Sequence, residues 1–198
     1  MNSTIPVAHD FICPWCWVGF LQAKQLEEEF GVKFDWIGYE LFPIELEWPD
    51  YPPAPEPPAN KPPVLSRFEF LLAADDIEMP AATKPKKMRT YNAHQAVEYA
   101  KTEGVADQLV EALYRAYWER GEEINDLSVI IRLASGIVVN LDDLASAIET
   151  KRFKDNVVGF DEPAYTSGIY NVPTFTIGEK RYAEQPLSRL RKALREAS

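Results

Sequence analysis

The stretch Asp10-Phe11-Ile12-Cys13-Pro14-Trp15-Cys16-Trp17, "DFICPWCW", holds both cysteines of a 198-residue chain. A Cys-x-x-Cys pair has three physical uses. Joined to a second ligand pair it binds zinc, but the chain has no other cysteine and only His9 and His94 to offer, which sets that use aside. As a fixed staple it closes too short a loop to constrain much of the unfolded chain, and a reducing compartment would open it. The third use is redox: one sulfur attacks a disulfide as a thiolate, and the other, a helical turn later, closes the ring.

The surrounding pattern places the pair for that use. Residues 5–11 read as a strand, with Pro6 confined to its beginning or to an edge because it donates nothing to a ladder. Residues 14–30 read as a helix: Pro14 lies in its first turn, Trp17, Phe20, Leu21 and Leu26 mark an apolar face, and Gly31 stops it. Cys13 therefore stands at a helix N-terminus, where unpaired amides and the helix dipole stabilise a thiolate. Cys13 is assigned as the attacker and Cys16 as the resolver. Pro14 fixes the turn, Trp17 is assigned to packing, and Trp15 is either a second packing residue or an aromatic face beside the reacting sulfur. Residues 32–39 alternate as a second strand, which completes a β-α-β unit.

Residues 49–63, "PDYPPAPEPPANKPP", exclude helix and central strand and read as an extended surface loop rather than a ligand for a proline-binding module. From about 90 to 150 the apolar spacing is three and four, with Gly104 and Gly121 as stops, so several short packed helices are expected. A further helix is expected over 152–167, kinked at Pro163. Residues 174–177 and 181–183 are β-rich around a Gly178 turn, and 186–196 form an amphipathic helix. The architecture is α/β, with a β-α-β half (residues 1–42), a proline-rich loop and helical insertion (43–150), and a β-β-α half (151–198).

Composition narrows the partners. Hydrophobic residues at 46% support a folded core, and a formal net charge of −10 without a basic stretch argues against nucleic acid and anionic membrane. The start has no cationic n-region and no apolar run of spanning length, so a cytoplasmic protein is expected. The sequence assigns no oligomeric state.

Strand, "CPWC" at a helix start, strand, helical insertion, then "NVPTFTIG" (Asn171 to Gly178) together resemble the DsbA-like branch of the thioredoxin superfamily, in particular its cytoplasmic FrnE-type members. Ala93-His94, Glu123-Ile124-Asn125-Asp126, Gly168-Ile169 and Gln185-Pro186 extend the resemblance over nearly the whole chain. It implies a thioredoxin-like fold interrupted by a helical domain, and a thiol-disulfide oxidoreductase whose dithiol serves as its own cofactor. Protein or small-molecule disulfides would be substrates, with a low-molecular-weight thiol as possible co-substrate. It also implies a cis peptide before Pro173, lying against the cysteines, and a Val172 main chain that pairs with extended substrate.

The chain departs from the pattern at Asn171, Arg89-Thr90 and Tyr182-Ala183-Glu184, where relatives commonly carry Gly, Asn-Thr or Asn-Ser, and Ser-Gly-Ala. The rival class is a glutathione-dependent isomerase or transferase, because the kappa-type transferases and hydroxychromene carboxylate isomerases resemble the same architecture; they usually carry Ser in place of the first cysteine. Around the pair, His9 and Asp10 are either proton shuttles to Cys16 or strand residues bonded to neighbouring backbone. His94 is expected to be a satisfied, partly buried histidine. Glu184, expected at the start of the last helix, is a candidate to hold a thiol's amino group.

Overall fold

A computed structural model describes residues 4–48, 65–160 and 162–197. The proline-rich stretch 49–63 lies outside the described residues. Strand β1 (Thr4–His9) leads into helix α1 (Pro14–Phe30), and β2 (Lys33–Glu40) returns parallel to β1 with Val7 opposite Trp36. Pro14 occupies the first turn of α1, where its missing N–H costs nothing, and Gly31 closes the helix at φ 65 with its amide donating to the Glu27 carbonyl. Pro6 fits because antiparallel pairing on the other side of β1 reaches only Val7 and Ala8.

Helices α2 (Arg67–Asp75), α3 (Tyr91–Glu103), α4 (Ala106–Arg120), α5 (Leu127–Ala134) and α6 (Leu141–Glu149) follow β2. Gly104 and Gly121 end α3 and α4 in the left-handed conformation, as their spacing predicts. Helix α2 is absent from the sequence reading. Its signal is Ser66 followed by Glu69, a reciprocal capping box in which the Ser66 side chain accepts from the Glu69 amide and Glu69 accepts from the Ser66 amide.

The expected kinked helix over 152–167 does not form. Lys151 turns the chain at φ 53, residues Lys154–Asn156 make one 3-10 turn, and β3 (Val158–Gly159) pairs parallel to Tyr39 and Glu40 at the end of β2. Sheet pairing outweighs local helical pattern there. Pro163 lies in the first turn of the short helix α7 (Glu162–Ser167), where proline is tolerated, rather than inside a longer one. Strands β4 (Thr174–Ile177) and β5 (Lys180–Ala183) pair antiparallel, and α8 (Leu187–Ala197) ends the chain. The sheet order is β3-β2-β1-β4-β5. The ends of the chain thus meet at its centre, where β1 lies between β2 and β4.

Helix α4 joins the inserted helices to the sheet through aromatic packing. Tyr114 lies 4.9 Å from the Phe20 ring of α1 and 4.8 Å from Phe11, and Trp118 stacks on Trp17 at 6.1 Å. The Trp118 indole also donates to the Phe11 carbonyl at 2.8 Å. These contacts fix the segment between β1 and the cysteines. Among the described residues no helix is long and apolar enough to cross a membrane.

Candidate active site

The carboxyl end of β1 delivers Cys13 to the N-cap of α1 with extended backbone (φ −75, ψ 121). The Cys13 amide donates to the Asp10 carbonyl at 3.2 Å, and the Cys13 carbonyl accepts from the amides of Cys16 and Trp17 at 3.0 and 3.1 Å. Both thiols are free. Cys13 is 6% accessible and Cys16 1%, so the sulfur at the helix start is the more accessible of the two although both are buried. Both sulfurs are covered by neighbouring residues, and a substrate has to reach Cys13 past them.

One of those neighbours comes from the far end of the chain. The peptide Val172–Pro173 is cis, and the Cys13 thiol donates to the Val172 carbonyl at 3.5 Å. The proline ring lies directly on α1: a Cβ built at Gly19 would be 2.9 Å from the Pro173 Cγ. Glycine at that helix position, normally a liability of about 1 kcal/mol relative to alanine, lets the loop approach the helix.

Trp15 meets helix α2. Its ring packs at 4.9 Å against Phe68, and the Arg67 guanidinium lies 5.4 Å from its centroid. Arg67 also pairs with Glu184 at 3.0 Å. Helix α2 is held at its other end by Asp75, whose carboxylate accepts from Gln22 of α1 and from the Leu187 amide that begins α8. Arg67 and Phe68 therefore join the site unforeseen by the sequence reading, and the Ser66 capping box was the signal that could have placed them. Glu184 lies before α8 rather than in it, at φ 50, with its amide on the Pro173 carbonyl at 3.2 Å. Trp17 is a packing residue, as expected.

Behind the cysteines lies a buried polar cluster. The Asp10 amide donates to the Cys16 sulfur at 3.5 Å, one carboxylate oxygen accepts from the Leu41 amide at 2.8 Å, and the other faces His94 Nε2 at 3.5 Å. His94 departs from expectation: it is wholly buried, and neither ring nitrogen has a hydrogen-bond partner among the described residues. It sits where β2 has no side chain, since a Cβ at Gly38 would be 2.8 Å from its ring. His9 hydrogen-bonds through Nδ1 to the Tyr114 hydroxyl at 2.9 Å. Burial, then the nearby His94 and Lys101, push its pKa well below the usual histidine value, so the ring is neutral. Burial, followed by the hydrogen bond and charge of Cys13, pushes the Cys16 thiol well up.

Glu40 closes the cluster. Its carboxylate accepts from the Thr90 amide at 3.3 Å, just before α3, and burial raises its pKa to about 7, with Asp10 adding to the rise and His94 opposing it. A carboxyl with a raised folded value binds its proton in the folded state where the unfolded chain has released it. Stability from this group therefore falls as pH rises from 4.5 to about 7. Glu40→Gln should remove that dependence and raise the melting temperature more at pH 8 than at pH 5, by thermal denaturation; an equal shift at both pH values would count against it.

Glu40 also lines a cavity of about 440 Å³ with Arg89, Tyr91, Asn92, Asn125 and Lys151. Arg89 shapes its rim by donating to the carbonyls of Phe42, Pro43 and Leu46.

The model of the DSBA-like thioredoxin domain family matches residues 4–195. YwbO of Bacillus subtilis is 23% identical over 185 residues, covering 90% of this chain and 88% of that protein. A 2-hydroxychromene-2-carboxylate isomerase structure superposes with a TM-score of 0.67 at 13% identity, over 98% of this chain and 95% of its own. The cytosolic disulfide reductase DsbM from Pseudomonas aeruginosa superposes with a TM-score of 0.61 at 15% identity, over 98% of this chain and 100% of its own, and has also been solved with GSH.

Proposed function

This chain belongs to the DSBA-like thioredoxin domain family, and from that premise we propose that it exchanges disulfides through the Cys13/Cys16 dithiol. The observation that carries the reading is the placement of Cys13: at the α1 N-cap, its sulfur 3.5 Å from the main chain before Pro173, with Cys16 buried behind it. A thiolate formed at Cys13 attacks a substrate disulfide and releases one sulfur as a thiolate. Cys16 then attacks Cys13, the mixed disulfide breaks, and the second substrate thiolate leaves with the electron pair. The reverse sequence makes a substrate disulfide.

In this reading Val172 offers main-chain groups to an extended substrate, Pro173 borders the sulfur, and Pro14 and Trp15 form the near wall. Helix α2 lies against Trp15, which favours the inserted helices as the part that selects substrate. The substrate is a protein or small-molecule disulfide, and a low-molecular-weight thiol is the co-substrate that resets the pair. That choice is supported by the presence of GSH in the DsbM structure. The dithiol needs no other cofactor in this reading, and a cytoplasmic working place is part of it, supported by the likeness to the cytosolic reductase DsbM. Net direction depends on reduction potential, with about 30 mV equivalent to roughly 1.4 kcal/mol for a two-electron couple.

The test is a measured potential together with turnover of insulin and of glutathione disulfide. Catalysed reduction of either supports the reading. Isomerisation or conjugation of a glutathione-dependent substrate by a protein inert toward both disulfides would replace it with the rival class.

A further inference from the structure

The cavity beside Glu40 lies at the carboxyl ends of β2 and β3, the edge at which open parallel sheets take their ligands. Its volume of about 440 Å³ is room for a small molecule. The charges of its lining say which kind. Glu40 is 4% accessible and contributes its carboxyl group to the wall. Among the described residues its only hydrogen-bond donor is the Thr90 amide at 3.3 Å, and no lysine or arginine nitrogen forms an ion pair with it. A buried carboxylate with a single neutral donor is short of partners, and a cation that carries N–H groups satisfies it best.

The two cations of the lining are committed elsewhere. Arg89 donates to the carbonyls of Phe42, Pro43 and Leu46 and lies 5.7 Å from the Trp48 ring centroid, so its guanidinium holds the rim in shape. Lys151, at φ 53, carries its ammonium 5.8 Å from the Tyr91 ring centroid. An aromatic face attracts a cation at such a distance, and the chain's own ammonium shows that this wall accepts one. Asn92 and Asn125 bond to each other: the Asn92 amide donates to Asn125 Oδ1, and Asn92 Nδ2 donates to the Asn125 carbonyl. Glu45 adds a second carboxylate, and Pro43, Ile44 and Val157 add an apolar side.

We propose that this cavity binds a small organic amine, its ammonium group between the Glu40 carboxylate and the Tyr91 ring and its carbon chain along Pro43, Ile44 and Val157. Lys151 competes for the same aromatic face, and its displacement admits the ligand. No bond is made or broken, and the site does not depend on the dithiol reading.

Binding should follow the charge of Glu40. The groups facing it are Asp10 from the end of β1, Arg89 and the Thr90 amide ahead of α3, and His94 and Tyr91 from α3; Glu45 and Lys151 share the cavity, and Asp155 acts on Tyr91. Burial outweighs the rest and raises the Glu40 pKa to about 7. Glu40 is therefore neutral at pH 5 and ionised at pH 8, while an alkyl ammonium keeps its charge at both. Amine affinity should rise across that interval by at least about tenfold.

Calorimetric titration with 1-butylamine tests the proposal, with 1-butanol as an uncharged probe of similar shape. The amine should bind saturably at pH 8 and more weakly at pH 5. Glu40→Gln, which keeps the shape and removes the charge, should weaken amine binding at pH 8 by about tenfold or more and erase the pH dependence. Lys151→Ala should tighten it, because a like charge leaves the Tyr91 face. The proposal is overturned by 1-butanol binding as tightly as the amine, by unchanged amine affinity in Glu40→Gln, by weaker affinity in Lys151→Ala, or by no saturable amine binding to the unaltered protein. Disulfide turnover enters none of these measurements, so failure here leaves the dithiol reading standing.

Discussion

Cys16→Ser should turn the protein into a trap. With Cys13 intact the first attack proceeds, a mixed disulfide forms, and nothing within the fold resolves it. The intramolecular sulfur is worth a high effective concentration, of order 10⁵ M or more for well-aligned groups, whereas an external thiol in the cell is millimolar and has to reach a Cys13 that is only 6% accessible. Turnover should fall by at least about a thousandfold on that comparison, and mass spectrometry should find substrate attached at Cys13. Cys13→Ser should behave differently: a serine hydroxyl does not supply a thiolate, Cys16 is 1% accessible with its thiol pushed well up, and no adduct should accumulate. Adducts on Cys16 in the Cys13→Ser protein would reverse the two roles. Turnover of both single variants at the unaltered rate would end the dithiol mechanism.

The strand–cysteine–helix frame on which that experiment rests was legible in the sequence because it depends on local order. A strand, a cysteine, a proline at the first helical position and a second cysteine one turn later can be read from neighbours alone, and so can the glycine stops of α3 and α4. What failed was non-local. Val158 and Gly159 look like part of a helical run, yet they pair with the end of β2, more than a hundred residues earlier, and that pairing decides their conformation. His94 looked like an ordinary core histidine because nothing nearby in sequence shows that Gly38 leaves room for its ring or that Asp10 faces it. Glu40 carries no motif; its character comes from burial near Asp10 at the end of β2, where the strand runs past β1 and pairs with β3. Arg67 and Phe68 were accessible in principle through the Ser66-x-x-Glu69 box, but only the fold brings that helix onto Trp15.

Gly121→Ala should cost far more than Gly104→Ala, although the two glycines are conformational twins. Both end a helix in the left-handed region, at φ 68 and 73, and both donate their amides back into the last turn. Backbone strain is therefore common to the pair, about 1–2 kcal/mol for an L-residue. Their surroundings differ. A Cβ at Gly104 meets nothing within 4 Å, whereas one at Gly121 would lie 2.1 Å from the Thr83 carbonyl oxygen and 3.2 Å from its carbon. That obstacle is main chain and cannot rotate aside like the end of a long side chain. The segment carrying it is tied down nearby: Lys84 donates to the Pro80 and Ala82 carbonyls and lies 4.9 Å over the Trp118 ring, whose indole holds the Phe11 carbonyl just before the cysteines. Overpacking of this kind adds about 1–3 kcal/mol, so the expected loss is roughly 1–2 kcal/mol at Gly104 and roughly 2–5 kcal/mol at Gly121. Chemical denaturation of the two variants measures the difference directly. Equal losses would show that the close approach to Thr83 carries no weight; a larger loss at Gly121, accompanied by altered reactivity of Cys13, would show that the strain reaches the site through Trp118.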